Sequence, residues 1–130
     1  MLRIIIALAL GMHGVGHALF IGNAWGYWHA GGAGRARLFA AVGAGQGVEG
    51  AAGLLMLVPL VGFLAVTWGY LAGQGWWRPL ALAAAIASAG LVLLFAGGLN
   101  TSSAFFAVAF DVAVIAYVLW QQRAAAAPGS

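Results

Sequence analysis

The sequence predicts an all-α, four-helix transmembrane bundle, and three observations support this prediction. The 130 residues are 65% hydrophobic and only 5% charged, whereas a soluble domain carries about 25% charged residues. The apolar residues form long stretches, and roughly 20 helical residues cross a hydrocarbon core of about 30 Å. Short segments rich in Gly, Trp and Arg separate these stretches, and tryptophan favours the membrane interface. We expect residues 1–130 to form a single transmembrane domain.

The first predicted span covers residues 2–22. Arg3, the short apolar run after it and the small residues near Ala18 resemble a cleavable secretory signal. A retained helix is the better interpretation because the apolar character continues past Ala18 to Gly22. The loop predicted over residues 23–37 contains interfacial aromatics, three closely spaced glycines and two arginines.

The second span has two possible starts, because residues 38–73 would make a helix of roughly 54 Å. The span either begins near Leu38 and ends or kinks at Pro59, or it covers residues 48–73 after a short surface or re-entrant segment. Alternating glycines at 43, 45 and 47 weaken a helix there. We favour the second alternative, in which Pro59 lies inside a membrane helix.

The third and fourth spans are predicted over residues 80–97 and 104–120. An interfacial turn precedes the third span, with two tryptophans, an arginine and then Pro79 at a favoured first-turn position. A polar turn over residues 98–103 separates the two spans. The residues after 123 are expected to form a frayed tail.

Four spans place both termini on one side of the membrane. Three arginines (Arg3, Arg78 and Arg123) then face one compartment and two (Arg35 and Arg37) face the other. The positive-inside rule favours cytoplasmic termini for a multi-pass protein of the inner (plasma) membrane. The net charge of +3 is scattered and forms no basic stripe, so the lipid bilayer is the expected environment and nucleic acid is not an expected partner.

Apart from arginine and tyrosine, four ionisable residues lie within the predicted spans: His13, His17, Glu49 and Asp111. His13 and His17 are four residues apart and therefore share one helix face, about 6 Å apart along the axis. Glu49 and Asp111 are the only acidic residues in the chain. In this topology, all of these polar groups lie in the half of the bundle that is nearer the non-cytoplasmic side. Ionisable side chains at such depth are costly and suggest a functional site.

Several roles for this group remain open. The two histidines and two carboxylates match the donor types of a divalent-metal site. One histidine beside small glycines could instead ligate haem or a chlorophyll-type pigment. The histidines and Asp111 could form a proton or quinone path. The plainest alternative is that they hydrogen-bond across helices and only stabilise the bundle.

Three stretches resemble a group of uncharacterised small four-helix bacterial integral membrane proteins: HGVGH in the first helix, WWRPLALAAAIAS at the start of the third and DVAVIAYVL in the fourth. The H-G-x-x-H element is the most specific of these. The resemblance implies the four-helix fold but no activity. In that group the fourth helix usually carries asparagine where this chain has Asp111.

The sequence favours a binding or accessory subunit over an enzyme. It contains no recognisable nucleophile–base arrangement, phosphate loop or histidine-box set, and the absence of cysteine excludes disulfides and thiol chemistry. Small residues inside the spans allow close helix contacts. We therefore expect other membrane subunits, or copies of the same chain in a homo-oligomer, as partners. The alternatives are a small membrane redox protein that binds metal or haem, and an oligomer that conducts protons or small solutes.

Overall fold

The computed structural model describes residues 1–25 and 36–126, which form an all-α bundle. The predicted fold class is confirmed. Residues 26–35, which include most of the predicted aromatic and glycine-rich loop with Arg35, lie outside the described residues, as do residues 127–130. The helices are α1 (Leu2–Ala24), α2 (Arg37–Ala41), α3 (Gln46–Gly53), α4 (Leu57–Leu71), α5 (Trp77–Leu94) and α6 (Thr101–Ala126).

Four helical stretches are long and apolar enough to cross a membrane, which is compatible with a small multi-pass integral membrane protein. They cover Leu2–Gly22, Gly47–Leu71, Trp77–Leu94 and Thr101–Ala125. Large apolar side chains on their outer faces are exposed, for example Leu8, Met12 and Trp68. Such a surface suits lipid rather than water.

The second spanning stretch consists of α3, a 3₁₀ turn over Leu54–Met56 and α4 in direct succession. The 3₁₀ turn comes directly before the first turn of α4, which contains Pro59. Proline lacks the backbone N–H that an α-helix needs and its ring crowds the carbonyl four residues earlier, so the helix tightens locally. The short helix α2 precedes this stretch, in the region where a surface or re-entrant segment is predicted.

Several helix ends differ from the predicted positions. α5 ends at Leu94, and Gly97 in the turn that follows has a φ of 92°. α6 already begins at Thr101, because the Asn100 side chain caps it: Asn100 Oδ1 accepts a hydrogen bond of 2.9 Å from the Ser102 amide. α6 also continues to Ala126, through residues predicted to be frayed.

The helices pack in chain order, α1 on α4, α4 on α5 and α5 on α6, whereas α1 and α6 do not pack along their lengths. Arg3 and Arg78 mark one end of the bundle, which we call the Arg3 end. Arg3 Nη2 donates to the carbonyls of Tyr70 and Leu71 at the end of α4, and Arg78 Nε donates to Gln121 Oε1. The opposite end, which contains the α5–α6 turn, is called the Asn100 end. The candidate functional site lies where α1 and α6 leave this space between them.

Candidate functional site

Four polar side chains from three helices meet near the middle of the bundle, and we call them the polar cluster. They are His13 and His17 of α1, Ser88 of α5 and Asp111 of α6. Ser88 and Asp111 are fully buried and His17 is 1% exposed. The His13 side chain is 11% exposed. In such surroundings a polar group requires a hydrogen-bond partner from the protein itself.

The Asp111 carboxylate is the centre of the polar cluster. His13 Nε2 lies 2.9 Å from Asp111 Oδ1, and the Ser88 hydroxyl donates to Asp111 Oδ2 at 2.6 Å. Ser88 Oγ also lies 3.1 Å from His17 Nε2 and 3.5 Å from His13 Nε2. The cluster therefore forms one continuous hydrogen-bonded chain from His17 through Ser88 and Asp111 to His13.

One buried atom of the polar cluster has no hydrogen-bond partner within the part of the chain that the structure describes. The second ring nitrogen of His17, Nδ1, is buried and meets no hydrogen-bond partner among residues 1–25 and 36–126. A buried polar atom of this kind costs about 1–3 kcal/mol. This cost restricts which nitrogen atoms of the two histidine rings carry a hydrogen.

Aromatic neighbours fix the histidine rings. The His13 ring stacks on Phe110 with centroids 4.3 Å apart, and Phe63 meets it edge-on at 4.7 Å.

The backbone of α1 approaches α4 closely at Gly14, where an added Cβ would lie 2.9 Å from Phe63 Cβ. Gly14, between the two histidines, thus lets them reach the interior of the bundle.

A groove between α1 and α6 leads to the polar cluster. Its volume is about 440 Å³, within the range of about 300–1,000 Å³ typical of small-molecule sites. His13 and His17 line it together with three phenylalanines, and Asn100 and Ser103 line it towards the Asn100 end. The other lining residues are Ala9, Met12, Gly16, Leu19, Leu99 and Ala107. The groove is therefore apolar with polar groups at two depths.

The structure brings three of the four predicted site residues together. His13, His17 and Asp111 belong to the polar cluster, whereas Glu49 Oε1 accepts a hydrogen bond of 2.8 Å from the Ala36 amide, which precedes α2. No three His, Cys, Asp or Glu side chains among residues 1–25 and 36–126 form a group that could hold a metal ion. The metal and cofactor roles predicted for His13, His17, Glu49 and Asp111 stay predictions.

Sequence reasoning missed Ser88. The only signal was its position, since it is the one hydroxyl in an otherwise apolar helix with Arg78 at its start. A serine in a membrane helix often bonds to its own helix or packs as a small residue. Ser88 becomes recognisable only once α5 is placed between α4 and α6, which turns its hydroxyl towards Asp111 and His17.

The polar cluster contains Ser, His and Asp, yet it is not arranged as a nucleophilic triad. In such a triad the serine hydroxyl donates to a histidine, whose other ring nitrogen donates to the acid. Here the Ser88 hydroxyl is fully buried and donates to the carboxylate itself, and both histidines face the cluster through Nε2. The geometry suits hydrogen bonding and proton sharing rather than acyl transfer.

Comparison of the chain with family models, with curated proteins and with solved structures gives no match.

Proposed function

We propose that the protein is a membrane-embedded binding protein that holds a lipid-soluble small molecule in the groove between α1 and α6. The observation that carries this proposal is that His13, which is paired with the buried Asp111, lines a mostly apolar groove. An apolar cleft with a few well-placed polar groups is the usual form of a small-molecule site. In the bilayer, such a cleft can take up a ligand from the side.

The proposal includes an accessory role in a larger membrane complex, either with other subunits or as a homo-oligomer. Within residues 1–25 and 36–126, the 5-residue helix α2 is the main element outside the four spanning stretches. So small a bundle is better suited to presenting a ligand to a partner than to acting alone. We also propose that the Arg3 end faces the cytoplasm, following the positive-inside rule.

Metal or haem binding is the second candidate, and the hydrogen bonds of the polar cluster make it the weaker one. Both Nε2 atoms already contact Asp111 or Ser88. Ligation through Nε2 would remove the histidine partner of Asp111 Oδ1 or of Ser88 Oγ in a buried site, at about 1–3 kcal/mol for each lost partner. A bound organic ligand leaves all of these bonds intact.

A pair of glycine variants tests the binding proposal. Gly16 lines the groove and Gly90 lies outside it on α5, and an added Cβ at either position has no neighbour within 4 Å. Gly16→Leu should therefore extend a side chain into the groove from an unobstructed Cβ, and Gly90→Leu is the matched control. The probe is a lipid-soluble aryl diazirine, which labels the protein on illumination, and mass spectrometry locates the labelled residues.

We expect labelling at half-buried groove residues such as Phe20 and Phe110 in the wild type and in Gly90→Leu, and its loss in Gly16→Leu. Labelling spread evenly over the lipid-facing residues in all three proteins would overturn the proposal. Circular dichroism and gel filtration in detergent confirm that the three proteins share one fold and one size.

A further inference from the structure

We propose that His13 presents a ring N–H, at Nδ1, to the groove, and that the ligand is a flat, lipid-soluble molecule with a carbonyl oxygen, of the quinone class. This inference rests on the proposed function and adds the chemical class of the ligand. It follows from placing the hydrogens of the polar cluster one by one.

The unpartnered Nδ1 atom of His17 determines which nitrogen of that ring carries the hydrogen. A neutral histidine carries one hydrogen, either on Nδ1 or on Nε2. A hydrogen on Nδ1 would make that atom a buried donor without an acceptor, and it would leave Nε2 with no hydrogen to donate to Ser88 Oγ, whose own hydrogen goes to Asp111 Oδ2. The hydrogen therefore lies on Nε2, which donates to Ser88 Oγ across 3.1 Å.

The hydroxyl of Ser88 determines whether Asp111 Oδ2 carries a hydrogen. Because Ser88 Oγ accepts from His17, its single hydrogen is free to donate, and Asp111 Oδ2 lies 2.6 Å away. Asp111 Oδ2 consequently accepts and carries no hydrogen itself. Only the contact between Asp111 Oδ1 and His13 Nε2 then remains to be assigned.

The net charge of the His13–Asp111 pair determines where its hydrogens lie. Asp111 is fully buried, and an unbalanced charge at that depth is strongly disfavoured. A neutral His13–Asp111 pair is either an ion pair or an uncharged acid beside an uncharged imidazole. In the ion pair His13 carries hydrogens on both nitrogens. In the uncharged pair Oδ1–H donates to Nε2, so the histidine hydrogen lies on Nδ1. Both arrangements leave Nδ1 of His13 protonated.

The surroundings of His13 indicate the shape of the ligand. The His13 ring lines the groove and is held against Phe110, while Phe20 and Phe106 also line it. Aromatic walls favour a flat ring by stacking. A donor at the polar depth requires an acceptor on that ring, such as a carbonyl oxygen, and the apolar remainder of the groove suits an alkyl or prenyl chain.

Three probes with the same decyl chain test the inference. Decyl-1,4-benzoquinone only accepts hydrogen bonds, and 3-decylindole only donates one, through its N–H. Decylbenzene neither accepts nor donates a hydrogen bond. Affinities are measured by calorimetry in detergent micelles. We expect the quinone to bind roughly tenfold more tightly than decylbenzene, the value of one hydrogen bond of about 1.4 kcal/mol, and the indole to gain nothing. His13→Phe keeps a flat ring and should remove the preference.

The tautomers are measured on the wild-type protein, so the test does not depend on a variant that folds. Nitrogen-15 NMR of histidine-labelled protein shows which ring nitrogens carry hydrogen. Hydrogen on His13 Nδ1 and on His17 Nε2 supports the assignment, and a bare His13 Nδ1 or a protonated His17 Nδ1 overturns it. Tighter binding of the indole, or equal binding of all three probes that Gly16→Leu abolishes, overturns the ligand class but keeps the groove function. Wild-type binding no stronger than that of Gly16→Leu overturns both.

Discussion

Removal of the Ser88 hydroxyl is the sharpest test of the polar cluster. Ser88→Ala deletes the atom that donates to Asp111 Oδ2 and contacts His17 Nε2. All three residues are at most 1% exposed, so bulk water does not replace the lost contacts. Each group left without a partner costs about 1–3 kcal/mol. We expect the free energy of unfolding to fall by at least about 2 kcal/mol, well above the average of about 0.6 kcal/mol for one hydrogen bond between membrane helices.

The assay is reversible unfolding in mixed micelles, followed by circular dichroism or by steric trapping. Ser102→Ala is the matched control, because Ser102 is exposed and its interaction with Asn100 Oδ1 uses the backbone amide, which the variant keeps. The control should differ from the wild type by less than about 0.5 kcal/mol. An equally small change in Ser88→Ala would refute the hydrogen-bonded chain through Ser88.

Two further pairs of variants test the packing and the charge of the site. Gly14→Ala should lower the free energy of unfolding by about 1–3 kcal/mol, because the added methyl would lie 2.9 Å from Phe63 Cβ. Gly16→Ala has open space and should be nearly neutral in the same assay; equal effects would contradict the close approach of α1 and α4. Asp111→Asn should stay within about 1.5 kcal/mol of the wild type and keep the quinone preference, because the amide can donate to His13 and accept from the serine hydroxyl. Asp111→Leu leaves the histidine unpartnered and should lose about 3–5 kcal/mol; equal losses in the two Asp111 variants would count against this pairing.

Much of the fold could be predicted because the composition leaves few alternatives. Long apolar stretches with interfacial tryptophans predict membrane helices regardless of how they pack. The spacing of His13 and His17 likewise predicts a shared face, because helical periodicity is local. Asn100 shows the limit of local reasoning: the residue was assigned to a turn, and its role as a cap depends on the exact residue at which α6 begins.

The composition of the site could be predicted only in part. Asp111 and His13 are brought together by the order of helices around the bundle, which hydrophobicity alone does not determine. Glu49 was grouped with them because it is one of two acids, yet the structure shows it bonded to the Ala36 amide. Ser88 was overlooked because its importance depends on the rotation of α5 about its own axis. Contacts between distant parts of the chain decide all three cases.

The incomplete packing between α1 and α6 has a consequence for how fast the groove can exchange its contents. Away from the contacts of His13 with Asp111 and Phe110, these two helices do not pack along their lengths, so a molecule can enter or leave beside those contacts without the helices separating. In a bilayer, the acyl chains that would cover this side of the bundle have to move aside. Exchange should therefore follow the fluidity of the surrounding lipid and slow in ordered bilayers, while the stability of the bundle itself stays unchanged.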